Sequence, residues 1–246
     1  MASKRLDQLL IDLGHYATRA RARDAIKRGC IQVDGILITK PSTKARAKQT
    51  IAINDQALQY VSRAALKLIH GLDNFEFDPC GQVCLDIGAS TGGFSEVLLE
   101  RGAAKVFAVD VGHGQLAAEL KENEKLVNLE KLNARDLFLE QLDGQSPDFV
   151  VSDVSFISLK LALPPALALA KNGARCILLV KPQFEVGRKM IGKNGLVASD
   201  DATECAKELG AWLDTQPGWR SIGLINSPIK GGDGNLEFLL AGLKNG

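Results

Sequence analysis

The stretch that most restricts what this chain can fold into is the run from Val83 to Phe94. A short apolar strand, Val83 to Ile87, enters a bend with glycines at 88, 92 and 93, and the chain then continues as a helix, Ser95 to Arg101. Strand, tight turn and helix N-terminus in that order point backbone N–H groups and the positive end of the helix dipole at a negatively charged ligand group. Glycine lets the backbone bend and approach that ligand closely. The spacing is not the G-x-G-x-x-G of dinucleotide loops. Downstream, Lys105 to Asp110 reads as a second strand ending in a carboxylate. Its separation from Gly88 is the one at which folds of this kind hold a ribose hydroxyl.

Around this run the pattern alternates. A helix is expected over 63–72, strands near 83–87, 105–110, 126–130, 148–152, 174–180, 220–225 and 236–241, and helices near 94–101, 114–121, 160–171 and 202–214. Such alternation predicts a parallel sheet covered on both faces. Gly231 to Asn235 leaves no room for a helix between the last two strands, so the final strand is expected to run antiparallel.

The segment 1–60 differs. It carries 11 Lys and Arg against five Asp, and the rest of the chain holds five more acids than bases. A local basic excess suits a polyanionic partner. Apolar residues at 6, 9, 10 and 13 mark an amphipathic helix stopped by Gly14; Thr18 caps a second helix over 19–28, ended by Gly29. Asp34-Gly35 between two apolar runs is a hairpin signal, and a last strand covers 50–53. Five scattered cysteines and three histidines lack metal-site spacing, so no metal is expected. The N-terminus shows no apolar signal segment, and the longest apolar run, Leu161 to Ala170, is too short to span a bilayer and holds two prolines. A cytoplasmic protein is the expectation, without a membrane partner.

Arg5-Leu6-Asp7, Thr18-Arg19, Gly29 to Gly35 and Lys40-Pro41 together resemble an S4 domain, a small α+β RNA-binding module. The resemblance implies an S4 domain over 1–60, with a linker at about 54–61, and an RNA surface of Arg5, Arg19, Arg21, Arg23, Lys27, Arg28, Lys40 and Lys44, extended by Arg63. Phosphate contacts of this type give affinity that falls with salt and carry little sequence information.

The glycine bend resembles motif I of S-adenosylmethionine (SAM)-dependent methyltransferases. That resemblance implies a Rossmann-like α/β domain over 61–246 binding SAM through Asp86, Gly88, Ala89, Ser90, Thr91, Gly92, Gly93 and Phe94. Asp110, Asn133, Ala134 and Asp153 complete the implied cofactor set, with Asp86 near the methionine part.

Polar residues at the carboxyl ends of parallel strands are the first suspects for chemistry. Asp153 and Lys181 each end an apolar strand, Glu237 interrupts another, and Lys67 lies on the preceding helix, opposite most of its aliphatic residues. A lysine ending a buried strand is uncommon without a partner or a task. Two ordinary buried ion pairs would show the same pattern. In order and context, however, Lys67, Asp153, Lys181 and Glu237 match the Lys-Asp-Lys-Glu tetrad of FtsJ-type RNA ribose 2′-O-methyltransferases. With the S4-like segment in front, the whole chain resembles the TlyA family, whose members are called both haemolysin A and ribosomal RNA cytidine 2′-O-methyltransferases.

The resemblance implies a ribosomal RNA or ribosomal subunit substrate. Lys181 would then be the general base, with Lys67 and Asp153 tuning it and Glu237 positioning the hydroxyl or Lys67. A lysine base needs its pKa brought from about 10.4 toward 7 or 8. Phe156 and Phe184 flank these positions, where either could stack on a flipped base or simply pack its loop. The short ends of the chain favour large-subunit RNA, with the small subunit as the alternative. Two other readings compete: a membrane-active haemolysin, and an RNA-binding protein whose methyltransferase domain is inactive or directed elsewhere.

Overall fold

The computed structural model describes residues 3–245 and divides into two compact units between Gln59 and Tyr60. In the first unit, β1 (Lys4–Arg5) leads into α1 (Leu6–Asp12) and α2 (Arg19–Lys27), followed by β2 (Ile31–Val33), β3 (Ile36–Ile38), β4 (Lys44–Ala45) and β5 (Ile51–Ile53). The hairpin expected at Asp34-Gly35 forms: both residues have positive φ, 50° and 78°, as a two-residue type I′ turn requires. Antiparallel pairing gives a sheet of order β3-β2-β5. Leu6, Leu9 and Leu10 of α1 pack with Ala22, Ala25 and Ile26 of α2 and with Ile31 and Val33 of β2. A further short strand, not expected from the sequence, forms at β4, where Lys44 and Ala45 pair with Arg5 and Lys4. A two-residue ladder is too short to show a period in sequence.

The second unit begins with α3 (Ala65–Phe75), then β6 (Val83–Ile87), α4 (Gly93–Glu100), β7 (Lys105–Asp110), α5 (Ala118–Lys121) and β8 (Leu126–Glu130). It continues with β9 (Phe149–Ser152), α6 (Leu159–Ala162), α7 (Pro164–Leu169), β10 (Arg175–Val180), α8 (Ser199–Asp214), β11 (Trp219–Asn226) and β12 (Phe238–Lys244). Seven strands form one sheet in the order β11-β12-β10-β9-β6-β7-β8. The last strand is reversed as expected, antiparallel to both β10 and β11, while the pairs from β10 to β8 are parallel.

Side chains alternate between two cores. Leu85, Phe107, Val150 and Leu178 face α6, α7 and α8; Cys84, Val106, Val151 and Ile177 face α3 and α4. Strands buried on both faces read as continuous apolar runs for this reason. Among the described residues no helix is long and apolar enough to cross a membrane.

Two expected helices are shortened, each with a local cause. The helix expected over 114–121 reduces to α5, because residues 112–116 are held as a loop by carboxylates at the ends of β7 and β8. The helix expected over 160–171 splits at Leu163, where Pro164 and Pro165 start α7. A proline ring excludes the helical hydrogen bond within a helix but suits its first position.

Candidate active site

Chain order reverses between β6 and β9, and in an open α/β sheet the ligand crevice forms at such a switch point. Ile87 and Ser152 are paired across it, so Gly88 and Asp153 leave the sheet side by side. Gly88 has φ +86°, and a Cβ there would lie 2.9 Å from Val154 N and 3.0 Å from the Asp153 carbonyl. Only glycine allows the two loops this approach. Gly92, at φ +96°, turns the chain into α4.

A cleft of about 550 Å³ opens beside Gly88 and Ser90, with Asp110, Gly112 and Gln115 on one side, Asn133 and Ala134 on another, and Asp153 to Ile157 on a third. Asp110 shapes its wall by accepting from Ser90 N at 2.8 Å and Gly112 N at 2.6 Å. Asn133 Oδ1 accepts from the backbone N–H of Arg135 at 3.1 Å. Ala89, Thr91, Gly93 and Phe94 line a smaller adjoining cavity of about 130 Å³, with Asp153 and Lys181. Ligand sites of this type occupy about 300–1,000 Å³ and are mostly apolar with a few placed polar groups. Cleft size, apolar walls from Ile87 to Leu132 and an acid at the end of β7 fit a nucleoside cofactor.

Asp86 stands apart from this wall. It is fully buried, accepts from Ser95 Oγ at 2.7 Å, and leaves Oδ1 buried without a hydrogen-bond partner. Burial, above all, pushes its pKa up to about 7, with the Asp153 charge adding to the rise and the Ser95 hydrogen bonds opposing it. The folded state therefore holds a proton that the unfolded chain releases near pH 4. Stability from the protonated form is complete below that pH and is lost as pH rises through 7. Asp86→Asn, uncharged throughout, should gain stability relative to the parent by up to about 1.4 kcal/mol per pH unit across this window. Urea denaturation at pH 4.5, 6 and 8 measures it; a difference that does not change with pH excludes the protonated carboxyl.

A third cavity, about 270 Å³, is lined by Arg63, Lys67, Asp153, Lys181, Phe184 and Glu237 among others. The β10–β12 register explains part of this convergence: Val180 pairs with Phe238, which places Lys181 and Glu237 at the same edge. Lys67 is not on a solvated helix face. It is 4% exposed, and its Nζ donates to Glu237 Oε2 at 2.5 Å. Lys181 Nζ stands 2.5 Å from Asp153 Oδ1 in ion contact, without hydrogen-bond alignment; its hydrogen bonds go to Ser155 Oγ at 2.6 Å and Asp153 O at 3.4 Å. The structure thus brings all four charged residues to one cavity as two close ion pairs.

Sequence reasoning passed over two supporting carboxylates. Glu130, ending β8, accepts from Gly114 N at 2.7 Å and Gln115 N at 3.2 Å; the Gly114 bond foremost, with smaller help from Asn128, Leu116 and His113, holds its pKa down to about 2. Glu185 accepts from Ser158 Oγ at 2.6 Å and Leu159 N at 2.7 Å, tying the loop after β10 to the loop after β9; burial raises its pKa. Glu130 carried the same signal as Asp110 and Asp153, an acid at the carboxyl end of a parallel strand.

In the first unit the basic residues divide. Arg23, Lys27, Lys40 and Lys44 are exposed. Arg28, only 15% exposed, is held by Asp24 and Asp55 at 2.7 and 2.9 Å, and Arg21 donates to the Ala57 carbonyl. Arg5 and Arg19 both pair with buried Asp7, yet keep 41% and 51% side-chain exposure, enough for a phosphate to reach them.

Residues 60–244 match the FtsJ-like methyltransferase family, and residues 4–51 match the S4 domain. Over 96% of its length the chain is 41% identical to the 16S/23S rRNA (cytidine-2'-O)-methyltransferase TlyA of Mycobacterium tuberculosis, covering 88% of that protein. The chain belongs to the TlyA family. Hemolysin A of Brachyspira hyodysenteriae, a second relative, is 37% identical over 96% of this chain and 98% of its own. A solved structure of a hemolysin-named protein from Streptococcus thermophilus superposes with a TM-score of 0.76 at 36% identity, covering 100% of this chain and 90% of that one.

Proposed function

We propose that this TlyA-family chain transfers a methyl group from SAM to the ribose 2′-hydroxyl of a cytidine in ribosomal RNA. The observation that carries the reading is the junction of two cavities. The nucleoside-sized cleft and the cavity of the four charged residues share Asp153, Ser155 and Phe156. A methyl donor in one and a ribose in the other would meet at that shared wall.

SAM, when bound, would supply a methyl group already activated by its sulfonium charge. Gly88, Ser90, Asp110, Asn133 and Ala134 would hold it. What remains is to orient a weakly nucleophilic hydroxyl and remove its proton. Lys181 would take that proton, with Asp153, 2.5 Å away, holding its amine. Lys67 and Glu237, which line the same cavity, would position the ribose. Arg63, on the same cavity wall, and the exposed bases of the S4 domain would hold phosphates.

Phe156 has a further part in this reading. It is 90% exposed, adopts φ +65° and lies 5.0 Å, centroid to centroid, from Phe184. An apolar ring fully exposed on a left-handed backbone is costly unless something covers it. A cytosine turned out of its stack would do so. Phe156→Ala should lower kcat/KM for RNA by roughly 5- to 150-fold, from 1–3 kcal/mol of stacking per base, a loss larger than any change in SAM affinity measured by calorimetry, since the ring also lines the nucleoside-sized cleft. An unaltered kcat/KM removes the ring from substrate binding.

The deciding experiment supplies labelled SAM with naked ribosomal RNA, isolated large subunits and isolated small subunits, then maps the modified nucleotide by mass spectrometry. A methyl group on a cytidine ribose supports the proposal and names the subunit. No incorporation into any of these forms sinks it.

A further inference from the structure

The contacts of Lys181 raise a problem of valence. Its three nearest oxygens are Asp153 Oδ1, Ser155 Oγ and the Asp153 carbonyl, at 2.5, 2.6 and 3.4 Å. An ammonium can donate to Ser155 Oγ and the Asp153 carbonyl while its charge faces Asp153 Oδ1. A general base must instead present a lone pair, and a neutral amine has two N–H groups and one such pair. A carboxylate and a carbonyl can only accept hydrogen bonds. A serine hydroxyl can accept from an ammonium and, after rotating, donate to an amine. Of the three partners, Ser155 alone can donate to the lone pair of the neutral amine, whose two N–H groups can still face the Asp153 oxygens.

Ser155 is also placed where a substrate would need it. It is exposed, and it is common to the small cavity beside Gly88, the nucleoside-sized cleft and the cavity of the four charged residues. Asp153 shares that position, but as a carboxylate it cannot pass a proton to the amine while remaining its counter-ion.

We infer that Ser155 is a catalytic residue, the proton relay between the acceptor hydroxyl and Lys181; the inference rests on the methyltransferase reading above. The ribose O–H bond breaks as its oxygen bonds to the methyl carbon, and the pair from the broken C–S bond stays on sulfur. The released proton passes to Ser155 Oγ. The proton Ser155 already carried passes to Lys181 Nζ, which ends as an ammonium in contact with Asp153 Oδ1 and Ser155 Oγ. Proton and charge balance: a sulfonium and an amine become a thioether and an ammonium.

The test uses two substitutions of nearly equal shape in the full-length protein. Ser155→Thr keeps the hydroxyl, whereas Ser155→Val replaces it with a methyl group that also keeps water out. Relay predicts a fall in kcat of about 100-fold or more for Ser155→Val and a change within about fivefold for Ser155→Thr. Ser155 also lines the nucleoside-sized cleft, so SAM affinity is measured by calorimetry in both variants and should be the same in the two, leaving the difference in kcat to the hydroxyl. A separate readout needs no turnover: in lysine-labelled protein without SAM, the Lys181 ammonium NMR signal should move in Ser155→Val and hold its position in Ser155→Thr. Near-parental kcat in Ser155→Val, or equal losses in both variants, overturns the relay alone. Full transfer by Lys181→Ala overturns the methyltransferase mechanism, and the relay with it.

Discussion

Replacing Lys181 by alanine should reduce kcat for methyl transfer by about 10²- to 10⁴-fold, the usual contribution of a positioned general base, while SAM still binds. The separation follows from position. Lys181 borders the cavity of the charged residues and the small cavity beside Gly88 but is absent from the walls of the nucleoside-sized cleft. A uniform loss of SAM affinity and rate would instead mean that the substitution had deformed the β10 edge. Single-turnover rates with labelled SAM, set beside calorimetric affinity, tell the two apart. Lys181→Arg should fare little better than alanine, since guanidinium keeps its proton throughout the working pH range.

The second large effect concerns stability. Lys67 and Glu237 are 6% and 3% exposed at the side chain, so Glu237→Ala leaves an ammonium buried without its counter-ion. Breaking a buried pair from one side costs about 3–5 kcal/mol, a large share of the about 5–15 kcal/mol that holds a typical domain together. Removing both charges is milder, because two apolar side chains of similar volume need no desolvation of ions. The double variant Lys67→Met, Glu237→Leu should therefore regain most of the lost stability in urea denaturation and still fail to methylate RNA. If Glu237→Ala unfolds at the parental urea concentration, the pair does not hold the fold. If the double variant retains methyl transfer, neither residue serves the chemistry.

The periodic features of this chain were readable before any coordinates. Strands such as Val83 to Ile87 announce themselves because burial on both faces demands unbroken apolar runs, and Asp34-Gly35 because so few residue pairs accept two positive φ angles. Site residues at strand ends were readable for a related reason: Asp110, Asp153 and Lys181 are charges where an apolar run stops. Lys67 is readable as a site residue but its burial is not, since helical periodicity puts it across from the aliphatic face and carries no trace of Glu237. The inward turn of Arg28 was equally hidden, because Asp55 reaches it only through the tertiary fold. Asp86 illustrates the limit from the other side: a motif gives its place in the chain, while the direction of its side chain, toward Ser95, depends on packing under α4.

The reversed strand β12 has a consequence for timing. It lies between β10 and β11 and begins next to Glu237, whose partner Lys67 is 170 residues earlier in the chain. The first unit is completed by contacts within its own segment, which ends at Gln59. Such local closure favours early and rapid folding, whereas a pairing of such long range closes late. A chain still emerging from the ribosome can thus have a finished S4 domain and no working centre. Methylating power arrives only once the last strand of the sheet has been made and inserted, so the molecule can engage RNA well before it is able to alter it.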